Sequence, residues 1–529
     1  MKKSIFLLAA VVVYGLINMT SCNKDNDIEP DVTQETGIDS TVVAVDSGSI
    51  GLVVDTRPIA KKGYHPSRAM IGFSGDYSQY SDEVEIDPST NIGMFRLKYE
   101  DVPAAIREDF SEGVPLSITV FDEQNTELGS SSFTRQPVDA SNNPVNVETD
   151  LPEILPQLSL RPDTPYLLFS ETSEMVLTTV PVPASGFAPY PRGVTTQDYD
   201  PEGDIYQEFF FEKGNEGDET EYFLLGSGGF IITGYPMYQT TVEYNPGEQT
   251  HLEKLVIEVD GDGWVKLRTP TGNYYKEHFD AFNTGDRNYA INEGTEDDYT
   301  RFRIINADIR WTLIDRGIKF NQPILPPARL DFAYSATLSN CSSAKLTETV
   351  GRNETRSQTF TSGSEESLQL FSSNTAYAEV SAGVDVNATF FGAGATYNLQ
   401  VTAGYEYTTS ETKTTTSYWQ ESETTEIETS RTRKVELAPN SAVEVYDAVQ
   451  SLDNVRIPFT KEFRLEGVDS DGKKIAGSEL QFQLFTSQFE GIVTETGPDY
   501  VDFTVRGTTV VDKMLEVETN VTELEGACD

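Results

Sequence analysis

Residues 380–407 alternate apolar and polar positions along two consecutive runs. In the first, Val380, Ala382, Val384, Val386, Ala388 and Phe390 are separated by Ser381, Gly383, Asp385, Asn387 and Thr389. In the second, Ala393, Ala395, Tyr397, Leu399, Val401, Ala403, Tyr405 and Tyr407 stand opposite Thr396, Asn398, Gln400, Thr402 and Glu406. A period of two marks a strand with one apolar face. The parity flips after Phe391-Gly392, as a hairpin requires: with an even-numbered loop, a pairing such as Val386 with Tyr397 puts both apolar series on one face of the ribbon. Each arm exceeds the roughly 9 to 11 residues that a tilted strand needs to cross hydrocarbon. The same alternation would serve a half-buried hairpin in a β-sandwich, and periodicity alone leaves both readings open.

The flanks of this ribbon are of another kind. Residues 347–373 and 408–432 mix Ser, Thr and charged residues with few apolar ones. Thr is β-branched and favours strands, so these stretches read as two long, solvated strands bracketing the apolar hairpin, or else as a low-complexity stalk. Upstream, short alternating runs at residues 50–54, 94–99 and 115–122 are separated by polar turns, which suggests an Ig-like sandwich over residues 42–150.

Between residues 151 and 328 a weak internal repeat recurs at about fifty residues. Its copies are 166–180 with 207–215, 221–235 with 254–263, and 264–277 with 301–308, and residues 310–321 are left to close the unit. Strand pairs with Gly-centred turns at this spacing resemble a β-trefoil, of the kind that often binds sugars in shallow pockets. A generic β-sandwich is the alternative. No long segment repeats apolar residues at helical spacing, so the fold class is mainly β, an elongated multi-domain chain with little helix.

Composition narrows the partners. The 529 residues suffice for roughly three domains. With 85 acidic against 39 basic residues the formal net charge is −46, which repels nucleic acid and anionic lipid alike. Lys2 and Lys3, an apolar run over residues 5–17 and then Met19-Thr20-Ser21-Cys22 form an export signal too short for a comfortable transmembrane helix. Cys22 after small residues resembles the lipobox of bacterial lipoproteins, which implies acylation at that thiol. Asn23-Lys24-Asp25-Asn26-Asp27 resembles the acidic signal that sends lipoproteins to the outer face of the outer membrane in Bacteroidetes-like bacteria. Residues 1–22 are thus expected to be a signal peptide, residues 23–41 an acidic tether, and the mature chain lipid-anchored at the cell surface or released from it. The two other cysteines, Cys341 and Cys528, would pair in an exported protein or remain free thiols.

After the second polar stretch come RKVELAPNSAVEVYDAV (433–449), with a V-x-x-x-P-x-x-x-V-x-V element from Val435 to Val445 with Pro439 at its centre, and then V-x-I-P-F at 455–459. Polar strand, amphipathic hairpin, polar strand and these two elements, in this order, resemble the pore-forming module of the aerolysin and epsilon-toxin family, over residues 329–529. The resemblance implies a twisted β-sheet module that is secreted with its hairpin docked and then oligomerises on a target membrane, so that the hairpin completes a transmembrane β-barrel. It also implies roles. Val380, Val384, Val386, Tyr397, Leu399 and Val401, with the alanines and Phe390 of the same series, would face acyl chains, and Tyr405 and Tyr407 would sit at the interface. Asp385, Asn387, Thr389, Thr396, Asn398, Gln400, Thr402 and Glu406 would line the lumen. The expected partners are a target membrane, a receptor such as a glycan, and further copies of the chain.

Enzyme chemistry finds little footing. The three histidines, His65, His251 and His278, stand in unrelated contexts, and no G-x-S-x-G nucleophile elbow is present. Asp260-Gly-Asp-Gly and Asp469-Ser-Asp-Gly share the opening of calcium loops without completing them, and read as tight acidic turns. No catalytic residue, cofactor or metal site is expected. The alternative to a pore-forming protein is a glycan-binding or adhesive surface lipoprotein that uses the same module as a stalk and never inserts.

Overall fold

The computed structural model describes residues 42–44, 49–139, 144–181, 192–200, 204–214, 220–227, 230–232, 241–243, 254–269, 271–279, 288–292, 296, 298–306, 308–321, 329–366, 368–370, 379–380, 384–392, 395–403, 407–409, 414–416 and 420–524. Cys22 and the tether lie outside them. The described chain is mainly β.

The first module is a seven-stranded sheet folded over one core. Strand Asp82–Asp87 turns it: residues 82–85 pair with Arg68–Phe73, while Ile86 and Asp87 pair with Ile92–Lys98. The halves enclose Leu52, Val54, Ile71, Phe73, Phe95, Ile118 and Val120, all buried. Two helices accompany them, α1 (Arg57–Lys61) and α2 (Ala104–Glu112). These were not part of the Ig-like expectation. The only fully buried residue of α2 is Phe110, which meets Phe73, Tyr77 and Tyr80 edge-to-face at 5.4–5.6 Å. With only Ile106 beside it on that core, the pair makes an amphipathic stripe too short to stand out in the sequence.

The second module is a β-trefoil by its pairing. Strands Tyr166–Ser170, Phe209–Lys213, Glu221–Gly226, Lys254–Val259, Val265–Arg268 and Phe302–Asn306 bond in a closed ring, the last returning to the first. Three hairpins attach to the ring: Val176–Pro181 with Arg192–Gln197, Phe230–Ile232 with Thr241–Glu243, and Tyr275–Phe279 with Asn288–Asn292. Each barrel strand turns two alternate residues inward: Tyr166 and Leu168, Phe209 and Phe211, Tyr222 and Leu224, Leu255 and Ile257, Val265 and Leu267, Phe302 and Ile304. That alternation is the repeat visible in the sequence. The expected closing segment behaves differently: Arg310–Phe320 leaves the barrel and pairs with Ser441–Val468. Closure is already complete at Phe302–Asn306, so the barrel has no edge left to offer.

The third module is built on two long antiparallel strands, Ser441–Val468 and Tyr500–Leu524, paired from Ala442 opposite Leu524 to Glu466 opposite Tyr500. At about 3.3 Å per residue, a strand of 28 residues extends roughly 90 Å. Its other side is shared by Arg310–Phe320 and Arg329–Asn340. Pro458 falls just past the pair Phe320 with Phe459, where the neighbouring strand ends and a missing N–H disturbs that ladder least. The two polar stretches pair with each other from Leu346 opposite Leu437 to Gly363 opposite Gln420. Only the end of the first arm, from Phe360 opposite Val511 to Ser364 opposite Gly507, joins the long sheet.

Cys341 is disulfide-bonded. Asn340 pairs with Ser441, whose neighbour Ala442 pairs with Leu524, so the register brings the end of the last strand two strands away from Cys341. Cys528 lies outside the described residues.

Helix α3 (Gly477–Thr486) joins the second and third modules. Phe482 enters the trefoil core, while Leu480 and Leu484 enter the core of the long sheet beside Trp311, Leu313, Phe463 and Phe503. A helix buried on several sides shows no amphipathic stripe, so the sequence does not announce it. In the same sheet the ammonium of Lys461 pairs with Asp315, and both side chains are almost wholly buried. Burial pushes the lysine below its ordinary range.

Two outcomes follow. Lys461→Met alone is expected to cost about 3–5 kcal/mol by urea denaturation, because it strands a buried carboxylate, whereas adding Asp315→Leu recovers most of the loss. Peptide mapping without reductant is expected to recover one fragment joining Cys341 to Cys528, and separate fragments would refute that pairing.

Candidate functional site

Strands Val384–Gly392 and Ala395–Ala403 form a hairpin, paired from Val384 opposite Ala403 to Gly392 opposite Ala395. Val386 meets Val401 rather than Tyr397, a displacement of four residues from the pairing anticipated. An even displacement leaves faces unchanged. Apolar positions still meet apolar ones (Val384 and Ala403, Val386 and Val401, Ala388 and Leu399, Phe390 and Tyr397), and Asp385, Asn387 and Thr389 still meet Thr402, Gln400 and Asn398. The one mixed pair is Phe391 with Thr396. The observed register runs the ladder out to a two-residue connection, the shortest hairpin loop in common use, and so forms the most backbone pairs.

The ribbon is shorter than the alternation. Val380, in Glu379–Val380, pairs in parallel with Leu313 of the long sheet. Tyr407, in Tyr407–Thr409, pairs with Thr416, and Thr414–Thr416 pairs in turn with Leu368–Leu370. Positions that read as one ribbon are therefore divided among three sheets. Ala382, Ala393, Tyr405 and Glu406 lie outside the described residues. Leu368 and Leu370 are buried in the core of the long sheet, which fastens the approach to the hairpin.

Two contacts reach this region from the front of the chain. Strand Val42–Ala44 lies parallel to the first hairpin arm, with Val42 opposite Thr389, Val43 opposite Phe390 and Ala44 opposite Phe391. Where the first polar arm ends, Glu366 receives Arg57 at 2.6 Å, Lys61 at 2.8 Å and the backbone amide of Arg506 at 2.8 Å. The guanidinium of Arg506 bonds Asp55 in turn. Arg57 and Glu366 are 4% and 7% exposed, so this pair is withdrawn from solvent and its geometry counts. No signal in the sequence could reveal a partnership across 309 positions.

The joint between trefoil and long sheet is polar at its centre. The Glu479 carboxylate accepts from Tyr166 at 3.0 Å and Asn306 at 2.6 Å and faces Arg161 Nε at 2.8 Å. Arg161 also donates to Asp469 at 3.0 Å. Both acidic motifs are tight turns. Asp469 accepts from the amide of Lys473, and Asp260 accepts from those of Asp262 and Trp264. Among the described residues no group of three His, Cys, Asp or Glu is placed to hold a metal, and no helix is long and apolar enough to cross a membrane, which says nothing of strands.

A cavity of about 720 Å³ opens where the three modules meet, lined by His65, Glu153, Asp262, Trp264, Arg301 and Phe489 among others. The face of Trp264 is taken by Arg303, 4.3 Å from the ring centre. His278 pairs with Tyr289 in a trefoil hairpin. His251 lies outside the described residues.

No protein-family model matches the chain, and no curated protein matches it. Among solved structures it is similar to Cry35Ab1, at 9% identity over 68% of this chain and 90% of that one, with a TM-score of 0.22. It is also similar to the parasporin-2 toxin of Bacillus thuringiensis, at 14% identity over 42% and 76% with a TM-score of 0.14. The designed three-fold symmetric protein ThreeFoil matches at 18% identity over 27% of this chain and 98% of its own, with a TM-score of 0.21.

The Glu479 joint should respond to pH. Its carboxyl is raised from the ordinary 4.5, because burial outweighs the donors that surround it. A group raised by folding contributes stability that is full below its ordinary value and is lost as pH rises through its folded value. Glu479→Gln removes that loss. From about pH 4 to pH 7 the wild type should therefore lose stability relative to the variant, as read from urea midpoints. A constant difference across that range would show that the donors balance burial, and a relative gain by the wild type that they outweigh it.

Proposed function

We propose that this chain is a β-pore-forming protein of the bacterial surface, in which hairpin 384–403 becomes the membrane-crossing part of a barrel shared among copies. One observation carries the reading: an apolar-on-apolar hairpin flanked by polar strands that pair with each other in register. The nine-residue arms meet the lower end of the roughly 9 to 11 residues that a tilted strand needs to cross the hydrocarbon core. The 18-residue polar ladder would extend the barrel roughly 60 Å beyond it.

A lone hairpin in lipid exposes two rows of unbonded backbone groups, so insertion requires several copies closing a ring. Val384, Val386, Leu399 and Val401 then face lipid, and Asp385, Asn387, Gln400 and Thr402 face the lumen. The trefoil serves as the receptor-directed module, with a glycan as the natural class of ligand, and acylated Cys22 holds the protein at the outer membrane until it acts. The reading assigns the chain no catalytic step. The second reading, a non-inserting adhesin, is favoured by the docking of Val380 and Tyr407 in sheets other than the hairpin's own.

Dye release from vesicles made of target-cell lipids separates the two. Thr312→Cys with Glu379→Cys, which face each other across paired strands, should block release when oxidised and restore it on reduction. Release that persists through the cross-link would refute undocking of Glu379–Val380 as a step of insertion, and a wild type that never leaks any vesicle would leave the adhesin. In planar bilayers the pore should prefer cations, and Asp385→Lys should weaken or reverse that preference; an unchanged reversal potential would remove Asp385 from the lumen.

A further inference from the structure

We propose that residues 42–61 act as a catch that keeps the hairpin from pairing with a second copy of the chain, an inference that rests on the pore-forming reading above. The first hairpin arm has two rows of backbone groups. Strand Ala395–Ala403 takes one row, and Val42–Ala44 takes the other at Thr389, Phe390 and Phe391. In a barrel contributed one hairpin at a time, that second row must bond to strand Ala395–Ala403 of the adjacent copy, because hydrocarbon supplies no other partner. One row of N–H and C=O groups cannot serve two strands at once. The N-terminal strand and the incoming copy therefore compete for the same edge, and covering an edge is a general means by which folded proteins avoid strand-to-strand association.

The same stretch of chain holds the insertion segment a second time. Glu366 stands where the first polar arm ends and the chain turns toward the hairpin. Its side-chain cations, Arg57 and Lys61, both belong to α1. Asp55, immediately before them, holds Arg506, whose amide also bonds Glu366. Residues 42–61 thus secure the segment near its tip and at its root. For the polar arms and the hairpin to run on as one ladder, the chain at Glu366 must straighten away from α1, which separates this ion pair.

The tip contact is suited to exchange. It consists of three parallel pairs, whereas the arm of a second copy offers up to nine antiparallel ones. Parallel pairing is slightly weaker per residue. Replacing the N-terminal strand by another copy therefore lengthens the ladder, and what delays it is the need to peel the first strand away.

Val43→Pro in the full-length protein removes a backbone donor from the N-terminal strand. Near-UV circular dichroism would check that the remaining modules are folded. Hydrogen exchange at Thr389, Phe390 and Phe391 is expected to quicken by roughly tenfold, the scale of one lost hydrogen bond, and oligomers on target-lipid vesicles should form with a shorter lag. Conversely, Val43→Cys with Phe390→Cys should block oligomers when oxidised and release them on reduction.

Exchange and lag equal to wild type in the proline variant, or wild-type association by the cross-linked protein, would overturn the catch. Faster association without leakage from any vesicle would uphold the catch and defeat the pore. Leakage with no change in exchange or lag would do the reverse.

Discussion

Each strand carries two rows of backbone donors and acceptors, and the architecture of this chain follows from where those rows find partners. The trefoil closes its six barrel strands on themselves and has no open edge there. The long sheet divides the outer flank of Ser441–Val468 between two shorter strands. The hairpin 384–403 can do neither alone, since two strands cannot form a ring. Its first arm borrows a neighbour from the beginning of the chain. On the pore-forming reading its unmet demand for partners is the functional feature, because a ring of copies answers it.

The modules are joined by more than contact between surfaces. Helix α3 places one aromatic in the trefoil core and two leucines in the core of the long sheet, so neither core is complete without it. Around it, Glu479, Arg161, Asn306, Tyr166 and Asp469 form a polar joint. Basic residues number only 39 in a chain of net charge −46, and buried or part-buried ones sit at such joints: Arg57, Arg161 and Arg506 each bond carboxylates of another module. With acids in excess, cations are the scarce component, and placing them at module boundaries binds together parts that would otherwise repel.

The strands of the trefoil are legible in the sequence. Its strands turn alternate large apolar residues into a closed barrel, so Tyr166 and Leu168 or Phe209 and Phe211 announce themselves by period, and the repeat follows. The alternation of the hairpin is legible in the sequence but its register is not, because a shift of four residues still sets apolar positions opposite apolar ones. Helix α2 leaves little trace in the sequence because only Phe110 and Ile106 fasten it to the core. Helix α3 leaves little because partners on both sides erase the stripe by which a helix is recognised.

The sequence alone determined which residues seek water and which avoid it, strand by strand, because burial of one face imposes a period that no partner needs to be known to detect. Only the tertiary structure decided who pairs with whom. Val43 against Phe390, Arg57 against Glu366 and Val380 against Leu313 join distant parts of the chain. Backbone groups are chemically alike at nearly every residue, and a carboxylate accepts any cation in reach. Such choices are made by the geometry that brings segments together and leave no local trace in the order of residues.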